Sequence, residues 1–210
     1  MGIFSSGDDG KNTKRPAHWL DGWLVQLPVN AQGYQKGRAV TNHDPSVHYK
    51  PWYIIRGKQL WFQCPDNGAT TGDSSNPRCE LSQGKYWSNG KISFTVKVTD
   101  VAEDVVILQC RNPAKSHELI QLRPKRADGY CALWMNEGGD KIGGIDFPIG
   151  EDVKVFAEVR RNDKIVVKIN DQTFTAPMKY SYTANGFNWK VGTYAGNGKS
   201  KTTVKDLKWS

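Results

Sequence analysis

Arg78 and Glu80 stand two apart where a turn-rich segment becomes strand-like. In an extended chain they share one face, and Cys79 takes the other. Gln109 and Arg111 share a face in the same way, with Cys110 turned away, at the end of the apolar run Val105–Arg111. In FNWKVGTY, Phe187–Tyr194, one face carries Asn188, Lys190, Gly192 and Tyr194. The other carries Phe187, Trp189, Val191 and Thr193 and reads as core. Arginine offers a planar, permanently charged fork for a carboxylate, glutamine a neutral donor, and tyrosine a hydroxyl that gives and takes a proton. Together these types suit a reaction that neutralises an anionic substrate while a proton moves. Alone, each segment has a plain structural reading: an ion pair, a strand emerging into solvent, an ordinary surface face.

Other chemistries are not written in the chain. It has no G-x-S-x-G elbow and no H-E-x-x-H pair. GTYAGNGKS, Gly192–Ser200, has five residues between Gly192 and Gly198 where a phosphate loop needs four, and no helix pattern follows. The E-x-D-x-x-E carboxylate spacing of sandwich-fold glycoside hydrolases does not occur. Cys64, Cys79, Cys110 and Cys131 form no C-x-x-C pair and have no histidine at zinc-ligand spacing. Buried free thiols are expected, with Cys79 and Cys110 pointing into the core and within bonding reach if their strands are neighbours. No acidic cluster resembles a calcium site, so no cofactor or metal is expected.

The elements that must position these residues are strands. Ser93–Asp100 and Lys154–Arg161 alternate apolar and polar, and Lys164–Asn170 follows the turn dipeptide Asn162-Asp163. Residues 59–64, 104–111, 118–123 and 130–135 are further candidates, and Asp66-Asn67-Gly68 and Ser88-Asn89-Gly90 are turn signals. A short helix is expected near Asn30–Lys36. Strands this short, broken this often, mean an all-β sandwich or barrel. At 210 residues the expectation is a two-sheet β-sandwich, a jelly roll, whose bent sheet forms a concave substrate groove. Residues 1–16 read as a flexible arm and 17–210 as a single domain.

Composition narrows the class. Eight Trp, eight Tyr and seven Phe are too many for a disordered chain. No apolar run approaches the length of a membrane-spanning helix, and residues 1–16 lack a signal-peptide h-region. A net charge of +8 favours a polyanionic partner: nucleic acid, an anionic membrane or an acidic polysaccharide. No RNP or zinc-finger pattern supports nucleic acid.

The three segments, in order and rough spacing, resemble polysaccharide lyase family 7, the alginate lyases of jelly-roll fold. GWLVQLPVN (Gly22–Asn30) is similar to the family's W-x-L-x-L-P-V. CPDNGATTGDSSNPRCELSQ (Cys64–Gln83) is similar to its NGATT…PR-x-EL stretch, the most specific match. Gln109-Cys110-Arg111 aligns with its Q-I/V-H strand, and Asn188–Gly196 with its Y-F-K-A-G-x-Y-x-Q motif. The resemblance spans about Trp19–Trp209. It implies an endolytic lyase that removes the C5 proton of a uronate and expels the 4-O-glycosidic oxygen. Arg78, Gln109 and Tyr194 match the catalytic positions: Arg78 and Gln109 neutralise the carboxylate, Tyr194 moves the proton. Glu80, Arg111, Lys190, Arg123 and Lys125 are expected to bind substrate.

The sequence departs from that pattern where it matters. The family's catalytic histidine is Arg111, the second arginine of R-x-E-L-R is Ser82, the first tyrosine of the last motif is Asn188 and its final glutamine is Gly196. In mannuronate and glucuronate the C5 hydrogen and O4 lie on one side of the ring, so a single tyrosine serves both. In guluronate they lie on opposite sides, and two groups are needed. The expected partner is therefore an alginate- or glucuronan-type polymer of mannuronate- or glucuronate-type units, acted on by a monomer with no nucleic acid or membrane partner. Extracellular or phage-particle-associated action is expected. The alternative is a catalytically inactive acidic-polysaccharide-binding module of the same fold. His43, His48 and His117, in loop-like contexts, are the candidates to replace the missing base.

Overall fold

The computed structural model describes residues 18–71, 76–101, 103–112, 117–125, 129–136, 140–178, 186–195 and 198–210. The expected arm, 1–16, and Gly196 lie outside the described residues. Among the described residues the alternation seen in the sequence becomes fourteen strands. In chain order they are β1 (Trp23–Gln26), β2 (Tyr53–Arg56), β3 (Gln59–Cys64), β4 (Arg78–Gln83), β5 (Asn89–Val101), β6 (Val105–Asn112) and β7 (His117–Pro124). β8 (Tyr130–Met135), β9 (Asp140–Asp146), β10 (Val153–Arg160), β11 (Lys164–Ile169), β12 (Gln172–Pro177), β13 (Asn188–Ala195) and β14 (Ser200–Trp209) follow.

They form two seven-stranded antiparallel sheets, β1-β4-β13-β6-β7-β8-β9 and β12-β11-β10-β5-β14-β3-β2. The order mixes strands distant in sequence, so β13 arrives late in the chain and inserts between β4 and β6. That insertion puts three separated segments on adjacent strands.

Two rows of register partners cross the first sheet side by side. One reads Val25, Leu81, Val191, Leu108, Leu122, Leu133, Ile142. All but Ile142 are fully buried, and Ile142 packs against the same core. Burying one such side chain is worth about 1.5–3 kcal/mol, which fixes which face turns inward. The other row reads Leu24, Ser82, Lys190, Gln109, Gln121, Trp134, Lys141. A slip of one residue would exchange the two rows, so core burial also aims the polar face outward.

The Asn67–Thr71 turn, part of the most specific motif, has a local reason. A Cβ on Gly68 would lie 2.8 Å from Cβ of both Pro28 and Pro77. Ala69 N–H donates to Pro28 O and Ala39 N–H to Thr70 O, both at 2.8 Å. Thr70 also bridges Pro77. The turn thereby ties the chain entering β4, immediately before Arg78, to the chain leaving β1.

Two local expectations are corrected. Residues 30–36 form no helix: Asn30 Oδ1 accepts the N–H groups of Gln32 and Tyr34, both at 3.0 Å, which holds a turn instead. The Ser88-Asn89-Gly90 signal is the entry to a strand, since β5 begins at Asn89. All four cysteines are free and buried. Cys79 and Cys110 face the core, but β13 lies between their strands, so they are not neighbours. Burial pushes both thiols well above the ordinary value.

Candidate active site

Arg78 begins β4 and pairs in register with Tyr194 on β13. Its guanidinium carbon lies 4.1 Å from the centroid of the Tyr194 ring. Two residues along, Glu80 pairs with Gly192, and Ser82 with Lys190. Glu80 Oε1 accepts from Arg78 Nη1 and from Lys190 Nζ, each at 3.3 Å. Arg78 is 4% exposed, Glu80 2%, Lys190 8% and Gln109 1%, so this charged group is held almost out of bulk water. Burial lowers the pKa of the Lys190 ammonium; Glu80 opposes that shift, and the positive charges of Arg78 and Arg111 add to it.

Gly192 is required by the close approach of β13 to β4. A Cβ there would lie 2.5 Å from Cys79 O and 2.6 Å from Glu80 Cα. On the β6 side, β13 carries an extra residue between Val191 and Tyr194. Such a bulge re-aims the side chain that follows it, and here that side chain is Tyr194.

On β6, Gln109 pairs with Lys190 and Arg111 with Asn188. Arg78 Nε and Gln109 Nε2 are buried and have no hydrogen-bond partner among the described residues. An unpaired buried donor costs about 1–3 kcal/mol, and an acceptor placed on this face would offset that cost. Arg111 pairs with Glu118 at 3.7 Å. Asn188 Nδ2 donates to Ser82 Oγ at 3.4 Å and Gln83 O at 3.2 Å, fastening β13 to β4.

The other expected residues are nearby on β7 and at its end. Arg123 Nη1 lies 3.5 Å from Asp104 Oδ2, and Lys125 bridges Asp104 through the backbone. Both have the parity of Gln121, further along the strand from Gln109's partner.

Two of the candidate histidines point elsewhere. His43 pairs with Val25, a core residue, and its ring lies 4.8 Å from that of Tyr49. Burial holds its imidazole below the ordinary histidine value. His48 Nδ1 accepts the Ile55 N–H at 3.1 Å, on β2 of the other sheet. His117 occupies the register position opposite Asn112; its side chain lies outside the described residues.

Gln26, opposite Glu80, was not singled out in the sequence, nor were Gln121, Trp134 and Lys141. The parity of Gln121 with Arg123 was the available signal, and Gln26 lay within the GWLVQLPVN match; Lys141 carried none, because only pairing places it. Among the described residues no cluster of three or more His, Cys, Asp or Glu side chains is arranged to hold a metal ion.

The two-sheet sandwich and its cationic, tyrosine-bearing face define a class: β-sandwich lyases of acidic polysaccharides. The alginate lyase family model matches residues 19–210, and the chain belongs to the alginate lyase family. It is accordingly a polysaccharide lyase. Its fold is similar to that of AlgAT5, an alginate lyase of polysaccharide lyase family 7, at 19% identity and a TM-score of 0.74, covering 91% of this chain and 94% of that one. An alginate lyase from Pseudomonas aeruginosa is similar at 18% identity and 0.75, covering 91% and 98%. One from Klebsiella pneumoniae is similar at 16% and 0.74, covering 91% and 96%. No curated protein matches the chain.

Proposed function

We propose that the chain cleaves an alginate-like polyuronate internally, at mannuronate- or glucuronate-type units, by syn β-elimination. The observation that supports this most is the Arg78–Tyr194 contact, with Gln109 and Lys190 on the same face.

In this reading the substrate carboxylate lies against Arg78 and Gln109 and accepts from their unpartnered N–H donors. Removing the C5 proton turns the carboxylate into an enolate-like dianion, and pre-aimed cations favour that charge most where water is excluded. The Tyr194 oxygen takes the C5 proton. The electron pair forms the C4–C5 double bond, and the bond from C4 to O4 breaks. As that bond breaks, the proton that the Tyr194 hydroxyl already carried passes to O4, which leaves as the hydroxyl of the released chain, and Tyr194 ends in its starting form. No second base is needed, consistent with arginine at position 111. Glu80 acts through the two cations it holds and is a positioning residue.

The test is ultraviolet absorbance of the unsaturated uronate on polymannuronate, polyguluronate and polyglucuronate, with product sizes followed over time. Early mid-sized oligomers from mannuronate or glucuronate polymer are expected. Preference for guluronate blocks, or monomer release from the start, would overturn the reading. Binding without any unsaturated product would identify an inactive module instead.

A further inference from the structure

The outward row that contains Lys190 and Gln109 continues through Gln121 to Trp134 and Lys141. Gln109 is buried, Gln121 and Trp134 are half-buried, and Lys141 is exposed, so the floor rises toward solvent at this end. The Lys141 ammonium lies 5.2 Å from the centroid of the Trp134 ring. A lysine resting on an indole face keeps its N–H donors for another partner, and its side chain has less freedom left to lose on binding. Arg111 and Arg123 are each paired with a carboxylate, whereas Lys141 is held by an aromatic ring.

We propose that Trp134 and Lys141 form a distal subsite for one uronate residue of a chain lying across the strands. The ammonium meets the sugar carboxylate, and the indole fixes that ammonium and offers apolar surface beside it. This rests on the polyuronate lyase reading. Order in the sheet is β13-β6-β7-β8, three steps. Neighbouring strands lie about 4.8 Å apart, close to the advance of a 1,4-linked uronate chain per sugar. Tyr194 stands four residues along β13 from Lys190, which lies in this row, so the subsite takes a sugar about four residues from the one at Tyr194. Charge complementarity selects the occupant: a polymer with one carboxylate on every sugar presents one here whenever another lies against Arg78. Long chains gain this contact and short ones do not, which favours internal cleavage.

The experiment uses mannuronate oligomers of increasing length. Their affinities for Tyr194→Phe are measured by calorimetry, with and without Lys141→Gln or Trp134→Ala. In parallel, kcat/KM is measured for the enzyme carrying Tyr194, with and without the same two changes. Affinity is expected to step up about tenfold once the oligomer reaches β8, and each second change should remove that step. The long-to-short ratio of kcat/KM should fall by a similar factor. Equal loss at every length, no loss at any length, or no step at all overturns the subsite. A step in binding with no unsaturated product keeps the subsite and overturns the lyase reading; turnover with a flat length dependence does the reverse. Lys141→Gln removes only an exposed charge, so its result decides if Trp134→Ala does not fold.

Discussion

The guanidinium carbon of Arg78 stands 4.1 Å from the centroid of the Tyr194 ring, and the two residues are direct register partners on β4 and β13. The contact is set by backbone pairing and not by two flexible side chains finding each other. A cation on an aromatic face is attracted by the ring, so Arg78 also fixes the ring that carries the hydroxyl. In the proposed reaction, the group that would neutralise the carboxylate and the group that would move the proton are thus in direct contact on adjacent strands.

Tyr194→Phe removes one oxygen and keeps the ring under Arg78. Turnover should fall about 10²–10⁴-fold, the usual range for lost acid–base work, with little change in the melting midpoint. A variant keeping more than about a tenth of the rate would place the base elsewhere.

Arg111→His restores the histidine of the family motif. The Arg111–Glu118 pair is about a third exposed on both sides, so its loss should cost no more than about 1 kcal/mol. Activity on mannuronate or glucuronate polymers should largely persist, and activity on guluronate blocks should rise. Loss of activity on all three polymers would show that Arg111 itself is needed for the reaction.

Glu80→Gln leaves Arg78 and Lys190 as neighbouring buried cations without their shared carboxylate. Breaking a buried pair in this way typically costs about 3–5 kcal/mol. Urea unfolding should show a fall of that order, together with loss of kcat. A fall below about 1 kcal/mol would mean that water screens the site.

Lys190 gives a pH signature. Burial sets its folded pKa below the unfolded value of 10.5, so between the two the unfolded chain binds more protons. The cost of burying the ammonium is fully present below the folded pKa and is relieved as pH rises toward 10.5. Lys190→Met removes this contribution. Plotted against alkaline pH, the stability of the wild type relative to Lys190→Met should therefore rise. A flat difference would show that Lys190 does not titrate differently in the two states.

Gly192→Ala should be destabilising by at least about 2 kcal/mol, since its Cβ would meet the β4 backbone at 2.5 Å. Activity should fall with it, because β4 and β13 must separate to admit the methyl group. Denaturant midpoints and turnover measured together would reveal a variant that is stable and active, which would contradict the close approach.

Strand content, the two faces of β4, β6 and β13 and the grouping of Arg78, Gln109, Lys190 and Tyr194 were legible in the chain. Side-chain alternation is a local property that any extended segment displays, and the NGATT…PR-x-EL stretch carried the family. β3 and β8 were readable to their ends because each is a short, mostly apolar stretch. β9 was not, since Gly143 and Gly144 interrupt its pattern, and neither was β12, whose side chains are mostly exposed.

Tertiary structure alone decided which strands adjoin. Pairing partners are chosen by burial summed over whole faces, and no local pattern in β13 says that it will lie between β4 and β6. That choice separates Cys79 from Cys110, turns His43 toward the core side, and puts Glu80 between two cations. It also extends the outward row to Trp134 and Lys141, far from the motifs in sequence. The sequence by itself determined which residues face outward and what chemistry they carry. Their distances, and the partner each charge is given, came from long-range sheet pairing, because neighbours across a sheet are set by register and not by sequence separation.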